Sequence, residues 1–109
     1  MPHSASNIFA SSAGEGTAEE FLPLHDNGLV RIERIVSHGQ ASAVGFWYDQ
    51  AEDEWVMLLR GEATLEFQHG GRVELTAGGW LNIPRGTRHR VERTTQDAVW
   101  LAVHMQAAP

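Results

Sequence analysis

An all-β barrel or sandwich is the fold this sequence predicts, and three features carry that expectation. Short runs alternate apolar and polar side chains with the period of a half-buried strand. Glycine-rich turn signals separate the runs: His69-Gly70-Gly71, Ala77-Gly78-Gly79 and Pro84-Arg85-Gly86. No long stretch shows helical periodicity, and many short strands between regular turns indicate a closed or two-layered β architecture.

The elements follow in chain order. Met1 to Thr17 is rich in Ser, Ala and Gly without an apolar period, so residues 1–18 read as a flexible N-terminal arm and residues 19–109 as one barrel domain. Phe21-Leu22-Pro23-Leu24 is an apolar anchor, either an edge strand or an arm packed on the barrel. Val30 and Ile32 alternate with Arg31 and Glu33, and the phase slips at Arg34-Ile35, which predicts a bulge. Ala43 to Tyr48 is a second expected strand. Glu54 to Arg60 is a third, apolar on both faces and therefore expected to be buried on both.

Ala63, Leu65 and Phe67 then share one face, with Thr64 and Glu66 on the other. The glycines of His69-Gly70-Gly71 permit the positive φ of a hairpin turn, and Val73 and Leu75 continue the ladder. Trp80 to Ile83 is a short strand, Arg88 to Arg93 leaves the next turn as a strand, and Val99 to Met105 closes the domain. Trp80 and Trp100 are expected in the core, and Trp55 outside the barrel wall in a dimer contact.

Composition narrows the class. The 109 residues suffice for one domain. A domain this small buries only roughly 60–65% of its unfolded surface, so a homodimer is expected. The chain has no cysteine, which excludes disulfides and thiolate metal sites. The net charge of −6 argues against nucleic acid and anionic membranes as partners. No apolar run approaches membrane-spanning length. The N-terminus has neither the basic segment nor the apolar core of a secretory signal, and the cytoplasm is the expected location.

Two motifs carry candidate chemistry. Glu54 is followed after six residues by Gly61-Glu62-Ala63. Gly78 precedes Pro84 by five intervening residues, and Pro84-Arg85-Gly86-Thr87-Arg88-His89 follows at once. This pair resembles the two motifs of the cupin family, and the resemblance covers about Ser37 to Arg93. It implies a double-stranded β-helix, or jelly-roll barrel, holding a metal or a small molecule. In that family the first motif supplies two histidines and a glutamate, and the second a third histidine. Glu54 and His89 stand at two of those four positions. The histidine pair is missing, and its place falls on Trp47 and Asp49 or on Tyr48 and Gln50, depending on loop length. The leading glycine of the first motif is absent in either register, and Arg93 replaces the final asparagine of the second.

His89 shares a strand face with Val91 while Arg88, Arg90 and Glu92 share the other, so its imidazole is expected to point inward. There it is a metal ligand or a catalytic base, or a buried histidine satisfied by a hydrogen bond. Glu54 opens an apolar strand, where a carboxylate is costly unless paired or bound to a cation. The alternative is a wet strand end with an arginine partner. The resemblance therefore implies a divalent metal (Fe, Mn, Ni or Zn) on Glu54, His89 and Asp49, with Trp47, Tyr48, Gln50 and His104 lining a ligand pocket. His104 shares a face with Trp100 and Ala102, which also suits a pocket-edge or interface position. Arg85, Arg88, Arg90 and Arg93 could steer an anionic ligand, or could pair with Asp49, Glu52, Asp53 and Glu54. Three readings of function stay open: a metal-dependent enzyme of oxygenase, isomerase or lyase type, a metal-free binding or sensing module, and an enzyme using His89 as general base.

Overall fold

The structure, a computed structural model, describes residues 3–10 and 18–106. The expected flexibility of the rest of the arm lies outside the described residues. Eight strands are present: β1 (Glu20–Asp26), β2 (Val30–Ser37), β3 (Asp53–Arg60), β4 (Glu62–Phe67), β5 (Gly71–Thr76), β6 (Trp80–Ile83), β7 (His89–Thr94) and β8 (Ala98–Met105). They form a five-stranded sheet in the order β1-β2-β8-β3-β6 and a three-stranded sheet in the order β5-β4-β7. All named pairings are antiparallel. Two such sheets face to face make the expected jelly-roll barrel.

The cross-strand register stacks the barrel interior in layers. Glu54 pairs with both His104 and Ile83, while Val56 pairs with Ala102, which also pairs with Glu33. Leu58 pairs with Trp100, which also pairs with Ile35. In the second sheet His89 pairs with Phe67, Val91 with Leu65 and Thr94 with Ala63. One end of the barrel is therefore polar. The other end is filled by Leu58, Ala63, Leu75 and Ala98, all buried in the core. This gradient puts the chemistry at one mouth and the packing beneath it.

Several expectations are corrected. No bulge occurs at Arg34-Ile35: β2 pairs with β8 without a break from Val30 to Ser37. The apparent slip arises because Glu33, in phase with Ile35, faces the barrel, while buried Arg34 faces outward beneath the N-terminal segment. There its guanidinium donates to the carbonyls of Ile8 and Ala10, at 3.2 and 2.8 Å. Ala43 to Tyr48 is not a strand; Val44 is almost fully exposed, and only Tyr48 makes a bridge, to His89. The outer face of β3 is half-buried rather than buried. Trp80 is 57% exposed, because β6 is an edge strand; its ring lies beside Trp55, with centroids 6.0 Å apart. Trp100 lies in the core as expected, its indole N–H donating to Ser37 Oγ at 3.2 Å.

Gly61 shows why the first motif needs a glycine. Its φ of +86° is a region that side chains avoid, and a Cβ there would lie 2.6 Å from Thr95 Oγ1. This tight turn leads β3 directly into β4 and so fixes the two sheets relative to one another.

Candidate functional site

The polar end of the barrel surrounds a cavity of about 120 Å³. Glu33, Glu54, His89, His104, Tyr48 and Gln50 line it, with Glu19 and Phe21 at β1 and an apolar floor that includes Val56, Leu65 and Trp100. Neighbours across a sheet bring Glu54 and His104 together, and the facing sheet brings His89 over them. His89 Nε2 is 3.7 Å from Glu54 Oε1, and His104 Nε2 is 3.8 Å from Glu54 Oε2. His104 Nε2 is also 3.1 Å from Glu33 Oε1.

The surroundings set the state of each group. His89 Nδ1 lies 2.9 Å from the Thr87 carbonyl, an acceptor only, so Nδ1 carries the proton and Nε2 presents its lone pair to the cavity. The ring stacks on Tyr48 at a centroid distance of 5.5 Å and lies tilted beside Phe67 at 6.0 Å. Burial pushes the Glu54 carboxyl upward, and it outweighs the opposing pull of His104 and His89. Burial also raises the Tyr48 hydroxyl, with further upward push from Glu19 and Glu54.

The backbone decides which residues replace the missing histidine pair. Tyr48 and His89 exchange both backbone hydrogen bonds, at 2.7 and 3.1 Å. Residues paired in this way put their side chains on the same face. Tyr48 therefore turns inward with His89, and Gln50 follows two residues on. Gly86 N–H holds that segment by donating to the Gln50 carbonyl at 2.9 Å. Trp47 and Asp49 fall on the other face. Neither lines the cavity, and Asp49 is 52% exposed beside Arg88, 3.5 Å away. Asp49 is thus removed from the candidate ligand set and Trp47 from the pocket wall.

Among the four acids of that region only Glu54 lines the cavity. Asp53 caps the Arg85 N–H at 2.9 Å, and Glu52 reaches Arg31 at 3.6 Å. The arginine cluster is also turned away. Arg88 pairs with Asp49, Arg90 with Glu66 at 3.1 Å, and Arg93 with Glu62 at 3.5 Å. Glu33 and Glu19 are the site residues that sequence reasoning missed. The phase of Glu33 with Ile35 was the available signal for the first.

A family model described as a cupin domain matches residues 30–104. The chain is a member of the cupin family. No curated protein matches it. Among solved structures, a protein of Ralstonia eutropha JMP134, named as a putative mannose-6-phosphate isomerase, is 42% identical with a TM-score of 0.88. That match covers 95% of this chain and 99% of the other. A cupin superfamily protein of Desulfitobacterium hafniense DCB-2 is 17% identical, with a TM-score of 0.79 over 97% of this chain and 94% of the other. An RmlC-like cupin protein of Desulfovibrio desulfuricans is 16% identical, with a TM-score of 0.75 over 94% and 96%. The last two show the fold alone.

Cupins commonly hold divalent metals, but this cupin does not present the family's donor set. Tyr48 and Gln50 stand in the two histidine places. Among the described residues no three His, Asp or Glu side chains are arranged to hold a metal ion. The family's set of three histidines and a glutamate is thus replaced by His89 and Glu54, with His104 turned to Glu33, a mixture less selective for Fe, Mn, Ni or Zn.

The buried acid has a consequence for stability. Glu54 holds its proton more tightly folded than unfolded, so its contribution is fully present below the ordinary glutamate value of about 4.3. It is lost as pH rises from there through the higher folded value. Glu54→Gln removes this loss, although His104, His89, Glu33 and Arg31 all face the group. Urea titrations across pH 4 to 8 should show the variant gaining on the parent over that window and holding a constant lead above it. A difference that does not vary with pH would mean that burial does not raise this carboxyl.

Proposed function

We propose that this cupin binds a small molecule in its barrel and moves a proton on it, with His89 Nε2 as base and Glu54 as acid. The single observation that carries this is the buried pair facing one cavity: a histidine with a fixed tautomer, 3.7 Å from a carboxyl that burial keeps toward its neutral form. In such a pair the imidazole takes a proton from a carbon beside a carbonyl while the acid gives one to the carbonyl oxygen. The imidazolium then gives its proton to the former carbonyl carbon while the Glu54 carboxylate takes one back from the neighbouring hydroxyl or amino group, which completes an isomerisation. The name of the 42% identical relative, an isomerase, supports the reaction class. Exposed Phe21, Leu22 and Leu24 on the edge strand β1 support a homodimer as part of the same reading.

Small α-hydroxy- and α-amino-carbonyl compounds incubated with the protein in D2O test this directly. Deuterium should enter the carbon next to the carbonyl of at least one compound, and entry should cease in Glu54→Gln. Entry no faster than without protein across the panel would sink the reading. Metal analysis is the companion measurement: near-stoichiometric Fe, Mn, Ni or Zn, lost in His89→Ala, would replace it with a metal-centred one.

A further inference from the structure

We infer that the ligand of this cavity is a small organic cation, an ammonium group on a short apolar body, and not a phosphorylated sugar. The inference rests on the reading of the cavity as a small-molecule site and names the class of molecule that fits it.

The hydrogen-bond inventory of the lining is the first argument. Glu19 and Glu33 offer carboxylate oxygens, and Glu54 a carboxyl group. His89 offers Nε2, since its Nδ1 is committed to Thr87. His104 is 3% exposed; its Nε2 faces Glu33 and Glu54, and its Nδ1 lies 4.0 Å from Glu52 Oε1, outside the cavity. Gln50 Oε1 is buried without a hydrogen-bond partner. Against the donors of the Tyr48 hydroxyl, the Gln50 amide, the Glu54 acid and His104 Nε2, the last already turned to Glu33, the lining sets the oxygens of Glu19, Glu33 and Gln50 and the nitrogen of His89 as acceptors. A ligand that satisfies it must bring donors. An ammonium brings three and no acceptor, whereas a phosphate brings mainly acceptors.

Charge points the same way. Among the described residues no arginine lines the cavity, and the chain has no lysine. The arginines near its rim are committed outside it: Arg31 to Glu52, Arg88 to Asp49 and Arg90 to Glu66. An anion entering here would meet the Glu19 and Glu33 carboxylates, while Arg31, the guanidinium that faces Glu54, is held by Glu52. A cation would meet Glu33 and Glu19, leaving Glu54 to proton transfer, with the Tyr48 and Trp100 rings beside its body.

Size is the third argument. At about 120 Å³ the cavity is smaller than the roughly 150 Å³ that admits benzene. A hexose phosphate is far larger and would have to extend out through the open mouth, whereas a small cation fits within the cavity.

The test uses the full chain with EDTA present and four probes: n-butylammonium, 1-pentanol, pentanoate and mannose 6-phosphate. Binding is read from the Trp100 indole N–H signal in 1H–15N spectra. The ammonium should bind about tenfold or more tighter than the alcohol, with no response to either anion. Glu33→Gln should remove most of that advantage while leaving the alcohol unchanged, and Glu19→Gln gives a second reading should the first variant disturb His104. Equal binding of ammonium and alcohol would overturn the inference and leave the pocket reading standing, as would tighter binding of either anion. No response to any probe would overturn both. With EDTA omitted, a divalent metal that alone shifts the same signal in the parent and not in Glu54→Gln would overturn it in favour of an inorganic cation.

Discussion

His89→Ala is expected to slow deuterium entry into a responsive carbonyl compound by about 10²–10⁴-fold, the range typical of a removed general base. The loss should fall on kcat, with KM changed little, because His89 acts on the reacting proton rather than on the body of the ligand. The geometry makes a large effect reasonable. The Thr87 carbonyl fixes the tautomer, and the Tyr48 and Phe67 rings fix the plane, so the lone pair is already aimed into the cavity. The backbone bonds between His89 and Tyr48 do not depend on the side chain and should survive the substitution. Binding of 1-pentanol, followed in the same variant, separates the roles. Retained binding with lost exchange is the expected result. Unchanged exchange would show that the imidazole only packs between its two neighbours.

The sequence made the fold and two site residues legible because both rest on local patterns. Alternation and glycine turns mark β4 through β8 nearly as they occur, and the spacing around Gly61 and Gly86 marks Glu54 and His89. What was not legible depends on partners distant in the chain. The choice between Tyr48 with Gln50 and Trp47 with Asp49 is made by a two-bond bridge to His89, some forty residues away. Nothing within the segment Phe46 to Gln50 encodes it. Glu33 looks like the wet face of an alternating strand until Ile35, in the same phase, shows which way that face turns. Trp80 looks like core by its size and apolarity. Its exposure follows from the position of β6 at a sheet edge, which is a fact of topology.

The same logic explains why the site tolerates groups that burial disfavours. The polar layer of Glu54, His104 and His89 sits above a base built mainly from Leu58, Ala63, Leu75 and Ala98, so the barrel base can offset the cost of the mouth. Weakening that base should therefore disturb the site as well as the fold.

Leu58→Ala is the sharpest version of that test and should lower the unfolding free energy by about 3–5 kcal/mol, the upper part of the range for a buried leucine. Leu58 is fully buried on β3, opposite Trp100. Its core companions Ala63, Ala98 and Ala102 are too short to collapse into the space it would leave. Against a typical total of about 5–15 kcal/mol the loss is severe, and it should appear as a large drop in the urea midpoint with little change in slope. Leu59→Ala, on the half-buried outer face of the same strand, should cost much less. Trp100, the cross-strand partner of Leu58, is a large side chain able to settle into the vacated space, and it also forms part of the cavity floor. The variant should accordingly bind 1-pentanol with altered affinity even where it remains folded. A loss below about 1 kcal/mol, equal to that of Leu59→Ala, would mean that the barrel base rearranges freely and does not hold the mouth in place.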